Sequence, residues 1–563
     1  MNTTLRGRSA EHDNTATTWS SAALEYTIIA LLSLAPLLWR MAVGADHIPA
    51  GDSWAYERIF EVFHTDRKIR LVDWNDINLV GMLPVAELWV TVFGHGRDQL
   101  HVLGSFIAAV ALAGFRSLMR TLGVANRLPA LVMVGTYSGF VGVAGTFQSD
   151  TFAVAGAIWA VALALKVWNA EAMTSAGARA PLSAIAEVGL AVASASAAAY
   201  AFSVRQQAAA SGVAVMLILW SCRDRCRLAW RTFALTLSAI AIPLYLWRRG
   251  VANGGAVEFG FHPRSILAAI QWNTVSLGLL IALGVTWLAV RPAWRVGAIA
   301  ANVALGAALL AAGLIIRTRA PQQRGVMTEM WVHFGTLASA PFLLALFAFT
   351  VFGWRWVGNR VREERTAPMA SSASALMSRV FLICLAAELL VDTTSTYFSR
   401  YSLLTGMVAV AWIFMCPTTR RGFAAVMTVF VCALSYWELD ETVTANQATE
   451  QAGEIAWCLG IPPEQLDAGF FWDGMHYRGI ASSRGIHPTH DALPETVDQT
   501  YFPEMKRVAV LVDHPVDASA ATEVYGPISS SGLLPWNRSD YWLVVLRTAT
   551  TEPEHVRCAT MLD

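Results

Sequence analysis

The stretch GTFQSDTFAVAGAIWAVALALKV, residues 145–167, opens on a short polar cluster and then runs from Thr151 to Leu165 without a charge. Crossing the hydrocarbon core of a bilayer takes roughly 20 apolar residues in a helix, and this run, read as 151–168, is one of about thirteen. The others fall near 26–43, 98–115, 128–147, 182–202, 207–221, 232–247, 266–290, 296–316, 335–353, 379–396, 402–416 and 422–437. The whole chain agrees with that reading. Its 563 residues are 55% hydrophobic and 15% charged, with a mean hydropathy of +0.45, where a soluble domain carries about a quarter charged residues. The expected fold is an all-α polytopic membrane protein.

Lys plus Arg and Asp plus Glu both total 41, so no basic surplus points to a nucleic-acid backbone and no such partner is expected. Seven cysteines, at 222, 226, 384, 416, 432, 458 and 558, are too dispersed to frame a disulfide-built fold, and their positions leave open whether Cys458 and Cys558 pair. With the N-terminus inside, the six inner loops hold eighteen Lys and Arg, among them Arg116, Arg127, Arg223 and Arg360, against the acids Glu171, Asp224, Glu363 and Glu364. That is the bias expected of cytoplasmic loops. Residues 1–25 then read as a cytoplasmic tail and 26–437 as the transmembrane module with a large first outer loop, 44–97. The first helix lacks a small-residue cleavage site and is expected to be retained. Residues 438–563 read as an outer, periplasmic or extracellular domain.

The outer loop is far longer than ordinary helix connections. Within it SWAYERIFEVF places Trp54, Ile59, Val62 and Phe63 towards one side at helical spacing, which predicts an amphipathic helix lying in the membrane interface. The outer domain carries the strand-like runs VAVLV, 508–512, and YWLVVLR, 541–547, and is expected to be small and α+β.

Two carboxylates fall on the outer side. Asp52, in GADHIPAGDSWAYERIF, stands just past the first helix, placed for a general base at the mouth of the bundle or for capping the helix that starts at Ser53. Asp150 stands between two apolar runs, where an ionisable group is costly unless paired or used, and it reads equally as the N-cap of the helix opened by Thr151. Converging acids would suit acid/base chemistry or leave room for a divalent metal; no metal ligand set and no certain cofactor is readable. Arginines stand where the inside bias disfavours them: Arg205, Arg248, Arg249, Arg264, Arg317, Arg319, Arg324 and Arg400. A guanidinium fork binds phosphate oxygens two at a time, so the cluster suits a lipid phosphate, although any single arginine there can also snorkel to headgroups. Cys222 and Cys226 in SCRDRC lack the second ligand pair of a zinc site, and no phosphate-binding loop for ATP appears.

These segments resemble, in order, the GT-C membrane glycosyltransferases that use polyprenyl-phosphate sugars, the protein mannosyltransferase and aminoarabinose transferase-like group. GDSWAY followed by LVDWNDINLVGMLP and LWVTVFGHGRDQLHV is similar to the family's first outer loop and second helix. FQSDTFAV resembles its second acidic motif, with Ala153 where a proline is usual, SVRQQAA its Arg-Gln-Gln helix start, YFSRYSLL its Arg-Tyr segment and FFWDGMHY its outer aromatic stretch, with Asp473 replacing an asparagine. The resemblance implies a GT-C-like bundle in a bacterial inner membrane and a sugar moved from a polyprenyl-phosphate donor to a lipid, glycan or protein acceptor at the outer face, with inversion. It implies Asp52 as catalytic base, Asp150 as second catalytic acid, and Arg205, Arg400 and Tyr401, with Arg264 and Arg319, as donor-phosphate contacts. The same charges would also serve a lipid-linked sugar transporter, and a non-catalytic scaffold displaying the outer domain is a third reading.

Overall fold

The computed structural model describes residues 6–49, 53–69, 80–175, 182–224, 226–251, 277–288, 300–308, 340–366, 372–392, 402–416, 421–468, 470–476, 508–512, 521–535 and 537–546. The first ten helices are α1 (Arg6–Val43), α2 (Ser53–Asp66), α3 (Met82–Phe93), α4 (Arg97–Thr121), α5 (Arg127–Gly135), α6 (Ser138–Val141), α7 (Ser149–Ser175), α8 (Ala184–Val204), α9 (Ala209–Ser221) and α10 (Arg227–Val251). Helices Ala340–Glu364, Ala373–Asp392, Leu403–Phe414 and Arg421–Cys458 follow. Five helices among the described residues are long and apolar enough to cross a membrane: Ala22–Val43, Arg97–Thr121, Ser149–Glu171, Ala184–Val204 and Arg227–Leu246. Shorter apolar helices include Ala209–Ser221, Leu277–Thr286 and Leu403–Phe414.

The quoted stretch forms α7, the centre of the bundle. Its span is 83% buried, against 11% for α10 at the edge. Alanines let neighbours approach closely: at Gly156 a methyl group would stand 2.8 Å from the Tyr200 ring and 2.9 Å from the Ala197 carbonyl of α8. The large apolar side chains left exposed, such as Leu31, Leu34 and Leu38 on α1 and Leu235, Ile242 and Leu246 on α10, face outward, where acyl chains replace water.

Three local expectations are modified. The run 128–147 is not one helix: α5 ends at Gly135, α6 is a single turn, and the chain reverses through Gly145 with φ +77°, a left-handed conformation that favours glycine. The amphipathic α2 is packed within protein over its first half. Ser53, Trp54, Ala55, Tyr56, Glu57, Ile59 and Phe60 are all buried, which covers both its polar and its apolar side with protein. The helix of the last expected span does not stop at 437: Arg421–Cys458 is one continuous helix of 38 residues that leads into the C-terminal domain.

That domain is a four-stranded sheet laid on the far half of the long helix. Its strands are β1 (Leu466–Asp467), β2 (Ala509–Val512), β3 (Ala521–Ser531) and β4 (Arg538–Leu546), in the order β1-β2-β4-β3. β1 runs parallel to β2, while β4 pairs antiparallel with both β2 and β3, Ala509 facing Val545 and Tyr525 facing Leu543. Ala452, Ala456 and Leu459 of the long helix pack with Leu466, Ala509, Ile528 and Leu543 in a separate core.

Candidate functional site

The mouth of the bundle is the end at which α1 stops and α7 starts. α8 ends there at Arg205, whose extended backbone (φ −142°, ψ 135°) breaks the helix before a single 3-10 turn, Gln206–Ala208, leads into α9. The break points the Arg205 side chain back into the bundle. Its Nη1 stands 2.5 Å from Asp150 Oδ1 and donates to Ser149 Oγ at 3.2 Å, while Nε donates to Gln207 Oε1 at 2.8 Å. Asp150 is 3% and Arg205 5% exposed. α7 begins two residues earlier than expected, at Ser149, so Asp150 sits in its first turn, where the helix dipole also favours a carboxylate. A buried guanidinium held by a buried carboxylate is pre-oriented and keeps donors for further acceptors.

Around the pair, the loop that precedes Asp150 rests on α2 and α4. Phe147 meets Phe60 edge-on, centroids 6.0 Å apart, and a methyl at Gly104 would strike the Thr146 carbonyl. α2 is fixed in turn by a buried polar group: Glu57 binds Arg97 Nε at 2.8 Å and His101 Nε2 at 3.2 Å, and His101 Nδ1 hydrogen-bonds the Asp46 carbonyl. Both ring nitrogens of His101 therefore face oxygens of the first outer loop. At the rim, His64 and Arg67 bind Glu87 at 2.8 and 2.5 Å. Burial alone would raise the Glu87 pKa, but these two partners hold it below the ordinary carboxylate value. His95 pairs with Glu61 at 3.0 Å and stacks on His64, centroids 4.6 Å apart.

An apolar cavity of about 600 Å³ opens between α8, α10 and the segment that precedes α3. Ile69 and Val80 of the first outer loop, Ala199, Tyr200 and Ser203 of α8, and Ile240, Pro243 and Leu244 of α10 line it. Ser203 is two residues from Arg205, and the α10 wall carries the outward-facing Ile242, Tyr245 and Leu246.

Of the residues singled out in the sequence, Asp150 and Arg205 are brought together. Asp52, Arg264, Arg319, Arg400 and Tyr401 lie outside the described residues. Their described neighbours are firmly placed: Ser53 and Trp54 are buried at the start of α2, and Ser402, buried, shares a 2.7 Å hydrogen bond with Tyr137 between α5 and α6. No group of three or more His, Cys, Asp or Glu arranged to hold a metal ion occurs among the described residues. Cys458, the last residue of the long helix, is disulfide-bonded, whereas Cys222, Cys226, Cys384, Cys416 and Cys432 are free thiols.

Sequence reasoning passed over three groups. Asp440, fully buried, accepts from Trp39 Nε1 at 2.7 Å, from the Leu533 and Leu534 amides at 2.9 and 3.0 Å, and from Asn537 Nδ2 at 3.0 Å, tying α1, the long helix and the β3–β4 loop together. Glu25 at the opposite end of the bundle binds Arg116 at 2.5 Å and Arg127 at 2.8 Å. The third group is Glu57 with His101. The available signal was an ionisable residue inside an otherwise apolar or amphipathic helix, which in a membrane protein calls for a partner.

No family model matches the chain, and no curated protein is significantly similar to it. Among solved structures the chain is similar to ArnT from Cupriavidus metallidurans bound to undecaprenyl phosphate, at 16% identity over 95% of this chain and 100% of that one, with a TM-score of 0.39. It is also similar to the same protein in the apo state, at 15% identity over 96% and 100%, with a TM-score of 0.38. Superpositions at these scores assign no site or activity to this chain.

Proposed function

We propose that the chain is a GT-C-type membrane glycosyltransferase that moves a sugar from a polyprenyl-phosphate donor to an acceptor hydroxyl or amine at the outer face of a bacterial inner membrane. The observation that carries this reading is the buried Asp150–Arg205 pair at the mouth of the bundle, with an apolar cavity whose lining includes Ser203, two residues before Arg205. A guanidinium fixed by a carboxylate, next to room for an isoprenoid chain, is what a lipid phosphate needs: a cation for its oxygens and an apolar path for its tail.

In this reading Asp150 holds the fork of Arg205 towards the donor phosphate, with Arg400, Tyr401, Arg264 and Arg319 as further phosphate contacts. Asp52 is the base. The acceptor oxygen or nitrogen attacks the anomeric carbon as its proton passes to the Asp52 carboxylate; the bond from that carbon to the phosphate oxygen breaks, and the electron pair leaves on polyprenyl phosphate. One displacement inverts the anomeric centre. Arg205 stabilises the charge that develops on the leaving phosphate.

Two features support the orientation in this reading. Arg116, Arg120 and Arg127 stand at the end opposite the site, as the inside rule requires, and the free Cys222 and Cys226 lie at that same end, between α9 and α10. The disulfide-bonded Cys458 stands at the other end, as expected where the compartment is oxidising.

The test is donor kinetics on purified protein in lipid nanodiscs. Arg205→Ala should lower kcat/KM for a polyprenyl-phosphate sugar on the order of tenfold or more, the equivalent of losing one charge-assisted contact of roughly 1.5–3 kcal/mol, and Arg205→Lys should lose less. Unchanged donor kinetics in the alanine variant would remove the phosphate site from this position.

A further inference from the structure

Arg40, in the last turn of α1, is 1% exposed. Neither its Nε nor its Nη1 has a hydrogen-bond partner among the described residues. The other buried arginines described are both paired, Arg116 with Glu25 and Arg205 with Asp150. A guanidinium cannot shed its charge inside a protein, and a buried charge without a counter-charge is strongly destabilising. Among the described residues nothing supplies that counter-charge, which suits an anion that arrives from elsewhere.

Its position says where that anion would be. One helical turn before Arg40, Leu37 packs its backbone against Gly145, where a methyl group would stand 2.8 Å from the Leu37 nitrogen. Residues three apart share a helix face, so Arg40 lies on the side of α1 turned to the loop that leads to Ser149 and Asp150. Just beyond it Ala45 and Ile48 pack with Val141, Leu439 and Val443, and Gln447 Nε2 donates to the Val43 carbonyl at 2.9 Å. This apolar cluster covers the end of α1 from water.

We propose that Arg40 is an anion-binding residue of the site, a second cation beside Arg205 that contacts the phosphate of the lipid donor or of the released polyprenyl phosphate. The inference rests on the transferase reading for the identity of the phosphate, and on burial alone for the presence of an anion. It makes an unusual demand on stability. With no ligand bound, removing the charge should not harm the fold, whereas removing a structural arginine should.

The experiment is thermal unfolding of the full-length protein in nanodiscs, wild type against Arg40→Met and Arg40→Lys, without ligand, with a short-chain polyprenyl monophosphate, and with inorganic pyrophosphate. Unliganded Arg40→Met should unfold at or above the wild-type temperature, and its apparent affinity for the polyprenyl phosphate should fall on the order of tenfold or more, with Arg40→Lys between. A methionine variant that unfolds at a lower temperature yet keeps wild-type affinity overturns the proposal. So does a double cycle in which Arg40→Met and Asp52→Asn each destabilise the unliganded protein and together add nothing, since Asp52 would then be the counter-charge. If wild type responds to pyrophosphate but not to polyprenyl phosphate, and the methionine variant responds to neither, the anion site stands and the lipid-donor reading falls. If wild type responds to neither anion, the inference fails.

Discussion

Taking either partner out of the Asp150–Arg205 pair leaves a buried charge uncompensated, at a cost of about 3–5 kcal/mol. Asp150→Asn and Arg205→Gln should therefore each lower the unfolding temperature, while the double variant should recover most of the loss and still fail to transfer sugar. Calorimetry of the four proteins gives the coupling as a double-mutant cycle; strictly additive losses would mean that the two side chains do not depend on each other. Each of the two residues was legible from its own context. Asp150 is an acid beside a long uncharged run, and Arg205 falls on the side where the expected topology disfavours arginine. Their pairing was not legible, because helix packing that joins distant segments leaves no spacing in the sequence. Asp440 was harder still. Its four partners come from α1, a β-hairpin loop and two backbone amides, and backbone donors have no sequence signature.

At the scale of elements, the long, uniformly apolar runs form helices where the sequence placed them, α7 and α8 among them, and the strand-like runs at 508–512 and 541–547 fall in β2 and β4. The failures were elements whose environment is supplied by other parts of the chain. α2 has the pattern of an interfacial helix but is covered by protein, partly through the short helix Phe470–His476, which lies against it. In that short helix Trp472 packs so closely on the long helix that a methyl at Gly453 would meet its ring, and Asp473 Oδ1 accepts from the Ala468 amide at 3.3 Å. His476 makes its docking sensitive to pH. Burial first, and then the charge of Arg97, lower its pKa below the ordinary 6.5, against an opposing effect of Glu464. The undocked helix thus takes up the proton more readily, and docking is at full strength above about pH 6.5 and weakens as pH falls through that value. Hydrogen-exchange protection of residues 470–476, measured against the intrinsic rate at each pH, should fall between pH 7.5 and pH 5 more in wild type than in His476→Gln; an equal fall would show that another group controls the contact.

For the whole molecule, hydropathy and the strand-like runs of the tail carried the architecture, a helical membrane bundle with a small sheet attached at one end. What they did not carry is how that sheet is attached: a helix of 38 residues bridges bundle and domain, and its outer half is polar enough to read as a loop. The orientation is open to a direct check. Leu533, 46% exposed in the β3–β4 loop, should accept an impermeant maleimide in intact cells as Leu533→Cys; labelling only after permeabilisation would invert the topology and move the site to the cytoplasm. Ser530, close by, is unsuitable, since its hydroxyl is buried against the Thr444 carbonyl at 2.9 Å. The central claim is transfer itself, and one measurement meets it most directly: the fate of a labelled polyprenyl-phosphate sugar in sealed vesicles holding wild type or Asp52→Asn. Wild type should break the bond between sugar and phosphate and release polyprenyl phosphate, while the asparagine variant should bind the donor and leave it whole. Intact donor in both, or donor carried across the bilayer with its sugar still attached, would contradict a transferase and leave a transporter in its place.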